Sequence, residues 1–445
     1  MINKKFIKAC SSFVVVLFLI VFLNSLVYCE DVTILNINNP SIRKIPMAVP
    51  EFKQFLEGPN VGQDAKEAQK LLVDAFNFTG YLKIIDERAY LAKPSETGIA
   101  KQDIDFLDWT GIGAELLVTG GITVDNNKVK LWLRLFDTFD ARLLVGKIYT
   151  GDREDLRQII HRFCGEVSKK LTGNRGVFGS KIAYVSKVNG KKEIFTCEFD
   201  GYNPEQLTFH KSISLSPAWS SDSKWIAYTS YAKGKADIYI KNLKENRGAI
   251  INKEGMNISP AWVPGQFALG ASLSFTGDPE IYLLTGKGKI IKRITDSWGI
   301  DISPKFSPDG KNIVFASKRR GSPQIFIKNL ETNEIRRLTF EGNYNTSPAW
   351  SPVGDRIAYV GINDGRIDIY TIGVGGEFPV QLTSAVGDNE DPSWSPDGSL
   401  IVFSSTRQGR RSQLYVMTAA GGEQRKLLRI DEGEQTDPDW SMVND

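Results

Sequence analysis

A four-residue motif that returns six times at nearly constant spacing constrains this chain more than any other feature. Ser216-Pro217-Ala218-Trp219 recurs as Ser259-Pro260-Ala261-Trp262, Ser303-Pro304-Lys305-Phe306, Ser347-Pro348-Ala349-Trp350, Asp391-Pro392-Ser393-Trp394 and Asp437-Pro438-Asp439-Trp440, with prolines 43, 44, 44, 44 and 46 residues apart. That is the period of a four-stranded propeller blade. Inside each period the order is constant: the Pro-Trp strand, a tight turn, an Ile-Ala-Tyr-type strand, a basic loop, an Ile-Tyr-type strand, and a short strand ending near Leu-Thr. The fourth blade reads Ser307-Pro308-Asp309-Gly310 for the turn, then Ile313-Val314-Phe315-Ala316, Gln324-Ile325-Phe326-Ile327 and Arg336-Arg337-Leu338-Thr339. Asp-Gly pairs here and at Asp397-Gly398 suit the positive φ of tight primed hairpin turns.

Counting strands predicts how the ring closes. Ile-Ala-Tyr-type strands begin at Ile182, Ile226, Ile313, Ile357 and Ile401, and a degenerate one lies near Leu269–Phe275, so there are six of each type. The two sets are offset by one: the first blade, from Lys181, lacks a Pro-Trp strand, and Asp437–Ser441 has no blade after it. The last strand is therefore expected to complete the first blade, which removes the free sheet edges. The aromatic of each motif reads as packing between neighbouring blades rather than as a ligand platform, because one equivalent apolar position per repeat is what stacking requires.

Residues 30–172 follow another pattern. Asp64–Phe78 is expected to be an amphipathic helix ended by Gly80, and Val32–Ile37 an extended segment. Strands are predicted at Tyr81–Ile85, within the stretch from Trp109 to Val118 after an initial loop, at Lys128–Leu135 and at Leu143–Tyr149. A last helix from Asp155 to Leu171 carries Leu156, Ile159, Ile160, Phe163, Val167 and Leu171 as one stripe, with Gly173 placed as its C-cap. The fold class is thus two-domain, α/β plus all-β: an N-terminal α/β domain (30–172), a Gly-rich linker (173–180), and a six-bladed β-propeller (181–445) closed by the C-terminal strand.

Lys4, Lys5 and Lys8 precede an apolar run from Phe13 to Leu23, which makes residues 1–29 a secretory signal peptide; the run is shorter than the roughly 20 residues of a membrane span. Cleavage is placed after Cys29 or after Ser25. Of four cysteines, Cys164 and Cys197 fall in the mature chain, and they read as two buried thiols rather than a bridge. Charge is nearly balanced, 55 basic against 52 acidic residues, so no field implies nucleic acid. No phosphate loop, dinucleotide fingerprint or metal-type spacing is present, so neither cofactor nor metal is expected.

Catalysis of the Ser/His/Asp type would need a histidine beside a nucleophile, and only His161 and His210 are available, with no Gly-x-Ser-x-Gly elbow. His161 reads as a helix-surface or domain-interface residue and His210 as part of an inter-blade loop. A glycosidase or sialidase working through paired carboxylates needs no histidine and is the alternative to a binding role.

Strand alternation fixes which loops share a rim. The loop before each Pro-Trp strand emerges beside the loop between strands two and three, and the Asp-Gly turns face the other way. Three residues before each proline stand Ser214, Asn257, Asp301, Asn345, Asn389 and Gln435, all polar and expected to line the channel mouth. The neighbouring loops are basic, with Lys187, Lys191, Lys192, Lys233, Lys235, Lys318, Arg319, Arg320, Arg366, Arg407, Arg410 and Arg411. In a chain of balanced charge, such one-sided clustering predicts an acidic protein partner. Only the third repeat, with Asp278 and Glu280, interrupts it.

The junction Leu171-Thr172-Gly173 to Phe178-Gly179-Ser180-Lys181-Ile182-Ala183-Tyr184-Val185, the six Ser-Pro-x-Trp-Ser-Pro-Asp-Gly-type repeats and the order of domains resemble the TolB family along the whole mature chain. The resemblance implies a periplasmic, non-enzymatic component of the Tol-Pal system, which links inner membrane, peptidoglycan and outer membrane and supports constriction at division. It implies that the mouth face, with Met256, Ile302 and Glu390 beside the polar ring, binds the peptidoglycan-associated lipoprotein Pal. It also implies that Glu30, Asp31, Val32, Thr33, Ile34 and Leu35 contact TolA or fold back to regulate Pal binding, with other envelope lipoproteins as further partners. This sequence departs from the family in the third repeat, where Val263-Pro264-Gly265-Gln266 replaces the Asp-Gly turn, and at Met256, where the family pattern has a polar residue.

Overall fold

The computed structural model describes residues 43–55, 61–91, 98–245, 247–429 and 433–443. The signal peptide read at 1–29, the extended segment 32–37 and the partner segment Glu30–Leu35 lie outside these residues. Among the described residues no helix is long and apolar enough to cross a membrane.

The N-terminal region is one mixed sheet with helices packed on it. In chain order it comprises β1 (Ile45–Ala48), β2 (Lys53–Gln54), α1 (Val61–Thr79), β3 (Leu82–Ile84), α2 (Phe106–Gly111), β4 (Leu116–Asp125), β5 (Lys128–Asp137), β6 (Arg142–Asp152) and α3 (Leu156–Thr172). The sheet runs β3-β1-β4-β5-β6, with β2 on β4; β1 lies parallel to β3 and β4, while β4, β5 and β6 are antiparallel. Helix α1 buries Ala65, Ala68, Leu72, Ala75 and Phe76 at helical spacing and stops at Gly80, whose φ of 80° only glycine adopts freely. Helix α3 starts from a reciprocal Asp152/Asp155 capping box, buries Leu156, Ile159, Ile160, Phe163 and Val167, and ends at Gly173 with φ 86°. Each of those large apolar side chains contributes roughly 1.5–3 kcal/mol by leaving water.

Two expectations change here. Trp109 lies in the short helix α2 rather than in a loop, buried against Tyr90. Strand β4 runs ten residues and carries Gly120-Gly121 because the rings of Phe52 and Phe55 rest on it; a Cβ at either position would come within 2.6 and 2.4 Å of those rings.

Beyond Gly173 lie six four-stranded antiparallel sheets. Five are consecutive in sequence, and the sixth pairs the closing strand Gln435–Trp440 with Lys181–Val188, in the register Gln435↔Ser186 to Trp440↔Ile182. The Trp440 indole donates to Ser180 Oγ and the Lys181 amide to Ser441 Oγ, so both ends of the ring are latched at one point. Each inner strand carries a bulge at the Ser or Asp before its proline: Ser216, Ser259, Ser303, Ser347, Asp391 and Asp437 have φ between 47° and 55°. These residues therefore shape the strand by a left-handed kink. At Asp309-Gly310 and Asp397-Gly398 only the glycine has positive φ, as in a type I turn closed by a left-handed residue, and not the primed two-residue form. The third blade keeps a turn by other means: Gly265, at φ 70°, supplies the positive angle one position earlier, and its second strand, Ala268–Leu273, is regular.

The N-terminal region sits on the Asp-Gly side of blades one and six. Arg157 bonds Glu198 at 2.8 Å and also Asp200, Arg425 donates to the Phe78 carbonyl, and Phe199 meets Phe78 and Phe178 with ring centroids 5.2 and 5.5 Å apart. One apolar core runs from α1 and α3 through Phe178 to Ile182, Val402 and Trp440.

Candidate partner-binding face

Six inner-strand residues were expected at the channel mouth, and all six are buried. Ser214, Asn257, Asp301 and Asn389 are fully covered, and Asn345 and Gln435 are 2% exposed. For four of them the physical reason is a clamp between blades. Asn257, Asn345, Asn389 and Gln435 each open an inner strand against the start of the preceding blade's third strand and bond to it. Asn389 donates to Asp368 Oδ1 at 3.1 Å and accepts from Ser405 Oγ and Arg407 Nη2 at 2.8 and 2.9 Å. Asn345 donates to Gln324 Oε1 at 2.9 Å, Asn257 to Asp237 Oδ1 at 3.3 Å, and Gln435 Oε1 accepts from the Leu414 amide at 3.3 Å. Asp301 takes the Arg319 guanidinium at 2.6 Å and Ser214 bonds Ser230 at 3.2 Å, both within their own blade. The polarity of the other four serves blade-to-blade cohesion, a role that the sequence reading did not assign.

The basic rim divides in two. Arg319 and Arg407 occupy equivalent positions and are pinned. Arg319 lies between Phe315 and Phe326 at 5.2 and 5.0 Å while paired with Asp301, and Arg407 lies between Phe403 and Tyr415 at 5.1 and 4.5 Å. Lys191, Lys318, Arg320, Arg410 and Arg411 are exposed, and Lys192 is half-buried near Glu434 at 3.8 Å. Lys318, Arg320, Arg410 and Arg411 form no ion pair among the described residues. Met256 is 43% exposed, Ile302 half-buried and Glu390 exposed; burial, then Asp388 and Asp437, raise the Glu390 carboxyl above its usual range.

Sequence reasoning missed the apolar part of this rim. Phe209, Trp298 and Phe340 are 70, 91 and 71% exposed, and Ile213, Tyr344 and Val386 stand out beside them. All belong to the loops entering inner strands, so they share the rim with the free cations. A signal was present: an apolar residue follows the buried Leu-Thr or Ile-Thr of several blades by one to four positions, as in Leu207-Thr208-Phe209 and Leu338-Thr339-Phe340. The histidines do not add chemistry. His210 bonds the Tyr228 hydroxyl at 2.9 Å, and burial lowers its pKa.

Inside the channel, the prolines and kinked residues enclose about 100 Å³, and the motif aromatics beyond Lys305 and Asp439 enclose about 250 Å³ more. Asp391 and Asp437 share a hydrogen bond, and burial with the Asp437 charge pushes Asp391 well above the normal carboxylate range. Asp439 is tied to Lys305 across the channel at 2.9 Å and to the Trp219 amide at 2.8 Å. Glycosidase carboxylates stand about 5 Å or more apart around a bound sugar. Asp391 and Asp437, in hydrogen-bond contact with each other, do not have that spacing.

Comparison with known proteins gives the same architecture. A family model for the TolB amino-terminal domain matches residues 33–144, and one for the TolB beta propeller domain matches residues 168–444. The Tol-Pal system protein TolB of Desulfosudis oleivorans is 52% identical over 263 residues, 59% of this chain and 60% of that protein. A Protein TolB homolog of Chlorobium luteolum is 42% identical over 56% of each. The matched stretch thus spans 60% or less of these relatives' length. The crystal structure of TolB from Acinetobacter baumannii superimposes with a TM-score of 0.77 at 25% identity, over 90% of this chain and 97% of that one. With the propeller model alone spanning more than half the residues, and the amino-terminal match preceding it in order, this chain belongs to the TolB family.

Proposed function

We propose that this protein is a non-enzymatic periplasmic scaffold of the Tol-Pal envelope system, gripping the lipoprotein Pal through the mouth rim of its propeller and meeting TolA through residues 30–35. The observation that carries the reading is the composition of one rigid rim: exposed Phe209, Trp298 and Phe340 interspersed with the unpaired cations Lys318, Arg320, Arg410 and Arg411. Aromatic anchors surrounded by charge are what a protein interface uses, the rings for affinity and the cations for steering and register. The names of the relatives, Tol-Pal system proteins, supply the partner class. A role in outer-membrane integrity and in constriction during division follows from that membership.

Calorimetric titration of the mature protein with soluble Pal tests it. Trp298→Ala and Phe340→Ala are each expected to weaken binding about 30-fold. Glu substitutions at the four free cations are expected to lower the association rate and flatten its salt dependence. Deleting residues 30–35 is expected to abolish TolA capture. Failure of Pal to bind, or full affinity in the aromatic variants, would overturn the reading.

A further inference from the structure

On the Asp-Gly side, away from the mouth and from the N-terminal region, a cleft of about 430 Å³ opens between blades four and five. Its existence is a local exception in the repeat. Between blades two and three the equivalent space is filled: Trp225 packs on Phe267 at 4.9 Å, Phe267 on Trp262 at 5.5 Å, and the Arg247 guanidinium covers Trp225 at 5.0 Å. The residues at the same positions around the cleft are Asn312, Asp355, Trp350 and Glu334, as the strand pairings Trp225↔Asn242 and Asn312↔Asn329 show. Two aromatics and an arginine have become two short polar residues and a carboxylate; Arg336 enters from the position of Ala249 and donates to the Val374 carbonyl, and the rest of the space stays open.

Trp350 responds to that change. Of the six motif aromatics it alone is half-exposed. Trp262 and Trp394 donate their indole N–H to the preceding blade, at Ala218 and Ala349, whereas Trp350 turns to the Gly354 carbonyl of its own hairpin at 3.4 Å. Trp350 lines the cleft beside Pro308, Val353 and Val374. The polar wall is equally specific. Asn312 uses its oxygen to accept from Asn329 at 3.2 Å, which leaves its NH₂ as a donor. Asp309 engages one oxygen with Ser307 and the Lys311 amide, which hold it ionised with a lowered pKa, and the other oxygen is unengaged. The Glu334 carboxylate has no side-chain partner among the described residues.

We propose that this cleft binds a neutral saccharide, one pyranose ring stacked on Trp350 with its hydroxyls bridging Asn312 to Asp309 and Glu334. A hydroxyl both accepts from the amide and donates to the carboxylates, and the axial hydrogens of an all-equatorial pyranose present an apolar face to an indole. An anion would meet two carboxylates, with the Arg336 guanidinium already engaged by the Val374 carbonyl, and a purely apolar ligand would strand these charges. The cleft's size and its mix of one aromatic wall with a few convergent polar groups match small-molecule sites. This reading is independent of the Pal-binding rim.

Saturation-transfer NMR on the mature protein with chitotriose, cellotriose and maltotriose tests it, followed by titration of whichever binds. The expected result is transfer from at least one of them, with Kd of order 1 mM or tighter. Trp350→Ala is expected to weaken binding by about tenfold or more and Trp350→Phe by less. Asn312→Trp, which rebuilds the filling seen between blades two and three, is expected to abolish binding with unchanged melting behaviour. That variant keeps the test decisive even if Trp350→Ala fails to fold. No transfer from all three sugars, binding that survives Asn312→Trp, or selective binding of lysine amide instead of sugar would each overturn the proposal.

Discussion

The two rims of the propeller are made from one repeat, yet they treat their polar and apolar residues in opposite ways. On the Asp-Gly rim the polar side chains of the turns satisfy their own backbone, as Asp222 does with Ser220 Oγ at 2.6 Å and the Lys224 amide at 3.1 Å. On the mouth rim, polar residues point inward to join neighbouring blades, and aromatics such as Trp298 face water. Polarity of a repeated position therefore does not give its exposure. What decides is whether the strand beside it offers a buried partner, because a covered amide or carboxylate without one costs more than an exposed ring. A rim whose polar groups are already committed leaves its apolar groups for a visitor.

The largest predicted effect attacks the inward half of that contrast. Asn389→Leu removes the group that joins buried Asp368 of one blade to half-buried Arg407 of the next, leaving both without that partner. The expected cost is about 3 kcal/mol in urea unfolding, with Pal affinity of the folded protein little changed. A change below about 0.5 kcal/mol would mean that the ring is ordinary surface, as the sequence suggested.

A second experiment probes the other rim where the N-terminal region docks. His161 lies 3.8 Å from Glu198, and its ring centroid is 4.9 Å from that of Phe199. Burial, then the Arg157 charge, against a smaller opposing pull from Asp200, hold its pKa at about 4 instead of 6.5. A base depressed on folding binds fewer protons in the native state, so its contribution is fully present above pH 6.5 and is lost as pH falls toward 4. His161→Gln should therefore lose less stability than the parent across that window, the difference reaching about 2–3 kcal/mol. Thermal melts from pH 7.5 to 4 check it; parallel curves would show that protonation of His161 does not strain this interface.

Blade number, ring closure and helix α3 were legible because each rests on periodicity, which survives in one dimension: six prolines, an offset of one strand, an apolar stripe ending at Gly173. The site was legible only by rim. Strand parity places Asn389 and Lys318 at the same end, but it does not say that a third-strand Asp368 waits beneath Asn389, since these two are 21 residues apart and the partner changes between Asp and Gln from blade to blade. Arg319 and Arg320 look alike in sequence; only the aromatic pair Phe315 and Phe326, meeting across two strands, distinguishes a pinned guanidinium from a free one. Strand β1 escaped detection because four residues with a proline carry no period, and it forms because β3 and β4 flank it.

The smallest effect belongs to the Asp-Gly rim itself. Asp222→Ala removes two local bonds at an exposed turn whose Ser220 hydroxyl keeps a second partner in the Trp225 carbonyl at 3.2 Å, so the loss should be about 0.5–1 kcal/mol and confined to stability. Pal titration of the same variant should match the parent, because this turn and the mouth lie at opposite ends of the blade. If Asp222→Ala instead weakened Pal binding as Trp298→Ala does, the two rims would be energetically coupled through the blade, and their division of labour would have to be abandoned. Equal affinity combined with a small stability loss would show that a self-satisfied turn is silent toward the partner, and that the inward clamp alone holds the mouth in shape.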